Sequence, residues 1–207
     1  MKATTTAFCT LALLAANARA DSSATFQLGF SLAFLDLGNT RFTRQVEMGG
    51  AYVDESALGS ELGQSHRVGV AMTPRFYLEP FPIRNVGLGL SFGLGPFSVG
   101  PAPDATIADR FGTGGASLAA MLFGLAGPEF QVVSGDRAHA IVRGGIGFGG
   151  RVLLIGGATA SSWIIQPHAS IDYEYPSHLT VGTYVGVDAV GNMAGTVMWG
   201  VTFGVTR

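Results

Sequence analysis

The sequence has little charge and almost no cysteine. Charged residues make up 13% of its 207 residues, and the formal net charge is −2. A near-neutral balance without a basic stripe argues against nucleic acid as a partner. The high apolar content, 47%, argues against a disordered chain. The one cysteine, Cys9, lies near the N-terminus, so the rest of the chain has no disulfide and no thiolate chemistry.

The N-terminal segment has the pattern of a secretory signal. Lys2 supplies a short basic region, and the apolar run at 7–16 is too short to span a bilayer. The small residues Ala18 and Ala20 then mark a cleavage site before Asp21. We therefore predict a signal peptide at 1–20 and one exported domain at 21–207.

The exported part also lacks a run that would make a membrane helix. The apolar stretch 117–127 is too short, and 144–157 contains Arg151 and many glycines. The stretch 189–205 is uncharged but rich in Gly and Thr and slightly short. With a mean hydropathy of +0.36 and no such helix, the chain fits a closed β-barrel. A barrel is the other fold that satisfies every backbone N–H and C=O within a bilayer.

The pattern that is present is apolar alternation with a period of two, which predicts strands. In the first strand, 24–36, large apolar residues from Phe26 to Phe34 are predicted to face lipid. The small and polar residues between them, from Thr25 to Ala33, are predicted to face the interior. Seven more segments follow, of which the fourth alternates most weakly: 66–79, 85–95, 115–133, 138–148, 163–175, 179–189 and 197–207.

The connections between these strands alternate in length. Short turns are predicted at 80–84, 134–137 and 176–178. Longer loops are predicted at 37–65, 96–114 and 149–162, with a modest loop at 190–196. An even strand number, short turns at one end and long loops at the other are typical of bacterial outer-membrane barrels. The sequence therefore predicts an all-β fold: a transmembrane antiparallel up-and-down barrel of eight strands in the outer membrane of a Gram-negative bacterium.

Aromatic residues are predicted to lie at both ends of this barrel, as the girdles of membrane proteins do. Phe76, Phe81, Tyr173 and Tyr175 lie beside the short turns. Phe34 and Trp163 lie near the long loops.

In pattern, the chain resembles the small eight-stranded outer-membrane β-barrels of the OmpA/OmpX-like superfamily. The C-terminal segment 200–205, GVTFGV, resembles their assembly signal, although the chain ends in Thr206 and Arg207 instead of Phe. The resemblance implies outer-membrane lipids, including lipopolysaccharide, and the barrel assembly machinery as partners. It carries over no functional residues and does not identify a partner for the loops.

Charged side chains on the inward faces are predicted to fill the barrel. Eight strands enclose a space just wide enough for side chains, and buried charges must be paired. We therefore favour a closed polar interior over a narrow, wet pore. The predicted network comprises Arg67, Arg75, Glu79, Glu129, His139, Arg143, His168, Asp172, Glu174 and Asp188.

An enzymatic interpretation also remains open. His168, Ser170 and Glu174 resemble the catalytic set of outer-membrane lipid A deacylases, but the longer motif around that set is missing. Alternation alone would bring the three residues to one face, so we favour an interior polar role.

No cofactor or metal is predicted. The G-x-G-x-x-G letters at 145–150 do not open a helix within a βαβ unit, and the four histidines lack metal-ligand spacing. Asp54, Glu55 and Glu61 could bind a cation, but a solvated loop is the favoured interpretation.

Overall fold

A computed structural model describes residues 24–79, 85–101, 104–111, 119–134 and 139–206 of the chain. The predicted signal peptide, Cys9, Phe81 and the turn at 80–84 lie outside these residues. So does most of the turn at 134–137. Within the described residues there is one helix, α1 (Ala105–Phe111), and no helix there is long and apolar enough to cross a membrane.

Ten strands account for most of the described chain. They are β1 (Ala24–Asp36), β2 (Arg41–Met48), β3 (Ala51–Leu58), β4 (His66–Leu78), β5 (Val86–Pro96), β6 (Ala119–Ser134), β7 (His139–Ile155), β8 (Ala158–Glu174), β9 (Leu179–Val187) and β10 (Val197–Thr206).

Eight of these strands form a closed antiparallel ring. β1, β4, β5, β6, β7, β8, β9 and β10 each pair with the next in that order. The ring closes where β10 pairs with β1, from Thr25 opposite Thr206 to Phe34 opposite Val197. The predicted eight-stranded up-and-down barrel is confirmed. Closure leaves no free edge within the ring.

The two faces of the first strand are also as predicted. Phe30 is 50% exposed on the outside of the barrel, whereas its neighbour Ser31 is 2% exposed on the inside. The same alternation runs from Thr25 to Leu35 because successive side chains of a strand point to opposite faces.

Two predicted loops contain strands instead. The predicted loop 149–162 is wrong: β7 continues to Ile155, the chain turns at Gly156 and Gly157, and β8 begins at Ala158. Gly156 has a positive φ of 55°, which suits glycine in a tight turn. The cross-strand ladder with β8 holds the glycines at 149–150 in a strand.

The predicted loop 37–65 contains the hairpin β2–β3, which lies outside the ring and meets β8 where Thr43 pairs with Thr159. The predicted loop 96–114 contains α1. The weakly predicted fourth strand, β6, is continuous from Ala119 and pairs along its length with β5 and β7. The first residues of β6 are apolar on both faces, which fits a strand whose inner face meets an apolar part of the interior.

The interior has two halves of different character. Near the chain termini it is filled by polar and charged side chains. Near the long loops it is apolar, and the loops contribute Leu37, Phe42, Leu62, Phe97, Phe111 and Met193 to the same cluster as strand residues such as Met121, Leu153 and Ile155. The interior is therefore not polar throughout, because loop side chains fold in over the mouth. We call this cluster the outer cap.

Candidate functional site

The polar half of the interior centres on Asp172, which is 1% exposed. Its Oδ1 accepts hydrogen bonds from Gln27 (2.8 Å) and Thr202 (3.0 Å). Its Oδ2 accepts from Arg143 (2.6 Å) and Ser170 (3.3 Å). Four donors from four strands of the ring therefore converge on one carboxylate, as a buried charge requires.

The Arg143 guanidinium, like the Asp172 carboxylate, has several hydrogen-bond partners. Besides Asp172, its guanidinium donates to Gln131 Oε1 at 2.9 Å and to Thr25 Oγ1 at 3.0 Å. The guanidinium carbon lies 4.9 Å from the ring centroid of Tyr77, a cation–π distance. This Arg143–Asp172 cluster links β1, β4, β6, β7, β8 and β10 across the barrel.

A second cluster lies nearer the middle of the barrel. Glu129 Oε1 is 2.9 Å from His168 Nε2 and 3.7 Å from Arg75 Nη2. Arg75 also stacks over the ring of Tyr184, with 4.7 Å from its guanidinium carbon to the ring centroid. The Tyr184 hydroxyl in turn donates to Thr73 Oγ1 at 3.3 Å.

A third cluster lies just below the outer cap. Arg151 is fully buried, pairs with Asp188, and donates to Met198 Sδ at 3.2 Å. Asp188 also accepts a 2.8 Å hydrogen bond from Gln166 Nε2. The Arg151–Asp188 pair lies beside Phe123 and Met198. The interior charges nearest to the loops therefore border the apolar outer cap.

Inward glycines make room for these side chains. A Cβ on Gly89 would collide with the Glu129 carboxylate, and a Cβ on Gly93 would collide with the Phe123 ring. The glycine-rich face of β5 is thus the space that long side chains from β6 occupy.

Four residues of the predicted network lie at its ends instead. Arg67 is at the loop end, where it donates to Gln64 Oε1 at 2.8 Å and to the Gly63 carbonyl. Arg67 therefore makes rim contacts. Glu79, at the other end, accepts from the Tyr77 hydroxyl at 3.2 Å and from Gln131 Nε2 at 3.5 Å. Glu79 also lies at a mouth of the barrel, but its two partners both contact Arg143, which connects it to the Arg143–Asp172 cluster.

The other two rim residues lie at the start of β7 and the end of β8. The Glu174 carboxylate is 3.2 Å from the exposed His178 ring. His139 is opposite Glu174 in the strand register, and its Nδ1 makes no hydrogen bond to any described residue.

The possible hydrolase set is not assembled. Ser170 donates to Asp172, while both nitrogens of His168 face other groups: Glu129 and the Gln166 carbonyl oxygen. Glu174 bonds to His178. Ser170 and His168 make no hydrogen bond to each other, so this geometry gives the hydroxyl no general base.

Above the cap, ion pairs tie the long loops together. Glu55 of β3 accepts from Arg110 of α1 at 2.5 Å and from Arg44 of β2 at 3.3 Å. The Arg110 hydrogen bond is the main cause that lowers the pKa of the Glu55 carboxyl from its ordinary value. The buried Gln64 side chain bonds both the Gly100 N–H (3.0 Å) and its carbonyl (2.8 Å), which joins the first loop to the second.

Glu55, one of the three acids considered as cation ligands, is therefore paired with arginines. In the part of the chain that the structure describes, no three His, Cys, Asp or Glu side chains form a group that could hold a metal ion.

The outer surface of the ring carries a continuous apolar belt. Every ring strand contributes an exposed large hydrophobic residue, for example Phe30, Val70, Leu94, Phe130, Phe148, Ile171, Val185 and Trp199. Trp163, near the loop end, is 83% exposed. At the turn end, the rings of Tyr173 and Tyr175 lie 4.9 Å apart, as do those of Phe26 and Phe76.

Comparison with known proteins finds similarity in solved structures alone. No family model matches the chain, and no curated protein sequence matches it. The crystal structure of Ail, the attachment invasion locus protein of Yersinia pestis, is 11% identical and aligns over 90% of this chain and 99% of that one, with a TM-score of 0.48. Ail in complex with the heparin analogue sucrose octasulfate gives the same identity and coverage and a TM-score of 0.47. Neisserial surface protein A is 8% identical over 87% of this chain and 95% of that one, with a TM-score of 0.47.

Sequence reasoning missed Arg151 because it placed that residue in a loop. The pattern itself contained the signal, because every second residue from Arg143 onwards is predicted to face inward. Continuing this alternation through Gly145, Gly147 and Gly149 puts Arg151 on the inner face. The uncharged members of the network, such as Gln27, carry no comparable signal, because any small or polar inward residue fits the same pattern.

Proposed function

We propose that the chain is an outer-membrane β-barrel with a structural and interaction role, anchored by its ring and presenting the folded loops outside the cell. The observation that carries this proposal is the apolar belt around a closed interior that is filled by side chains. In water, a belt of this size on every strand would be unfavourable. In a bilayer it meets hydrocarbon, while the closed ladder satisfies the backbone.

The outer cap favours a closed barrel over a pore. Phe42 and Leu62 are fully buried at the loop-side mouth, and the ion-paired clusters fill the other half. An eight-stranded ring leaves little space beyond its own side chains. Planar-bilayer recordings are expected to give no discrete conductance steps, and regular steps would contradict the closed state.

The hairpin β2–β3 is the part best suited to contact a partner. Met48, Tyr52 and Val53 are exposed near its tip, with Tyr52 73% exposed. Exposed apolar side chains beside the charged loop surface form the kind of patch used in protein or lipid contacts.

Location is tested by heat and detergent. In the outer-membrane fraction, the unboiled protein is expected to migrate differently from the boiled protein in SDS gels, because a closed ladder has no free edge from which to open. A soluble periplasmic protein without this shift would contradict the proposal.

Orientation is tested with single cysteines, since Cys9 is the one cysteine in the chain and precedes the predicted cleavage site. Tyr52→Cys is expected to react with a membrane-impermeant maleimide on intact cells. The matched control His178→Cys, also on an exposed residue but at the short-turn end, is expected to react after the outer membrane is permeabilised. The opposite labelling order would contradict the proposed orientation.

A further inference from the structure

A small cavity lies inside the barrel between the middle and upper clusters. Its polar lining consists of Thr73, Arg75, Ser91, Gln166, His168 and Tyr184. It has room for about one particle of water size. All of its lining residues belong to strands of the ring.

Two hydrogen-bond donors of this lining have no partner among the described residues. Arg75 is 8% exposed, and its Nη1 is buried without a hydrogen bond. Ser91, on the inner face of β5, makes no side-chain hydrogen bond to any described residue. The other polar groups are engaged: the Tyr184 hydroxyl by Thr73, and the Gln166 amide nitrogen by Asp188.

The charge around the cavity is positive in one defined state. His168 Nε2 is 2.9 Å from a Glu129 oxygen, and Nδ1 is 3.2 Å from the Gln166 carbonyl oxygen. A neutral imidazole has one N–H, so the imidazolium alone can donate to both oxygens. Arg75 and His168 then carry two positive charges against the single negative charge of Glu129.

The remaining buried charges do not offset this excess. Arg143 pairs with Asp172, and Arg151 pairs with Asp188. An unpaired charge in the middle of a membrane barrel is costly, so it needs a counter-ion.

We propose that this cavity binds one monovalent halide ion, chloride in ordinary media, which accepts hydrogen bonds from Arg75 Nη1 and the Ser91 hydroxyl. A monatomic anion is the smallest counter-ion for this space, accepts from both free donors, and neutralises the Arg75–Glu129–His168 group. A water molecule would accept hydrogen bonds from the two donors but would leave the positive charge without a counter-ion.

The direct test is crystallography of the protein, extracted from membranes in mild detergent, with bromide as the probe. An anomalous bromide peak is expected beside Arg75 Nη1. An ordered water at that position without an anomalous peak would overturn the proposal.

A paired substitution measures affinity in the folded protein. Ser91→Ala removes one donor to the ion and is expected to weaken bromide binding about tenfold, as for loss of a hydrogen bond to a charged group. Ser161→Ala, on the exposed face of β8, is the matched control and is expected to leave binding unchanged. Equal affinities in the two variants would overturn the assignment.

Thermal unfolding supplies an independent readout. Replacing chloride with a bulky organic anion at the same ionic strength is expected to lower the melting temperature, because a ligand of the folded state stabilises it. A melting temperature independent of the anion would overturn the proposal.

Discussion

Removing the Asp172 carboxylate is the sharpest test of how the interior is held together. In Asp172→Ala, Arg143 would keep its charge at 2% exposure and lose its ion-pair partner. Breaking a buried pair by removing one member costs about 3–5 kcal/mol. Gln27, Ser170 and Thr202 would also lose their acceptor, so we expect the upper part of this range.

The matched control is Glu174→Ala, two residues further along the same strand. Glu174 bonds to His178, whose side chain is 74% exposed, and such solvent-exposed pairs contribute about 0–1 kcal/mol. The two variants each remove one carboxylate from β8, so their difference isolates the effect of the buried network.

The assay is the free energy of unfolding in urea, with the protein folded in detergent micelles and the folded fraction read from unboiled gel mobility. Equal destabilisation of the two variants would refute the argument that Asp172 organises the interior. The double variant Arg143→Met with Asp172→Ala is expected to recover most of the loss, because replacing both members leaves no unpaired charge.

Three further predictions concern the cap, the loops and the belt. Phe42→Ala is expected to cost about 3–5 kcal/mol of unfolding free energy in the urea assay, because it opens a cavity in the outer cap, whereas Tyr52→Ala on the exposed hairpin surface should stay within about 0.5 kcal/mol. The folded pKa of Glu55 lies below its unfolded value, so its stabilisation of the loops is present above the unfolded pKa and is lost as the pH falls through the folded pKa. Protease cleavage of the loops should therefore increase on acidification, and Glu55→Gln should abolish that dependence. Val201→Arg, in the middle of the belt on β10, is expected to destabilise the protein in vesicles by about 2–4 kcal/mol; no change there would contradict the lipid-facing assignment.

Much of the fold could be predicted from local pattern. The bounds of β1 match the predicted segment 24–36, and β4 begins at the predicted residue, His66. One error, the predicted loop 149–162, lies where two strands continue beyond the membrane-length segment. The glycines of β7 and the polar start of β8 resemble a loop locally, and they form strands because each supplies the other with a hydrogen-bonding partner.

The candidate site was less predictable than the fold. The two-residue alternation identified which charged residues point inward, including Arg143 and Asp172. It could not show that Arg67 would reach for Gln64 at the rim, because that depends on how the first loop folds back.

The sequence by itself determined which side chains face in and which face out, because the two-residue period of a strand is a local property of the backbone. It also determined the number of strands in the ring. The tertiary structure alone decided which charges pair and where the interior becomes apolar. Gln27 and Asp172 are 145 residues apart in the chain, and Phe42 reaches the outer cap through a hairpin outside the ring. Such contacts depend on ring closure and loop folding, which no local pattern encodes.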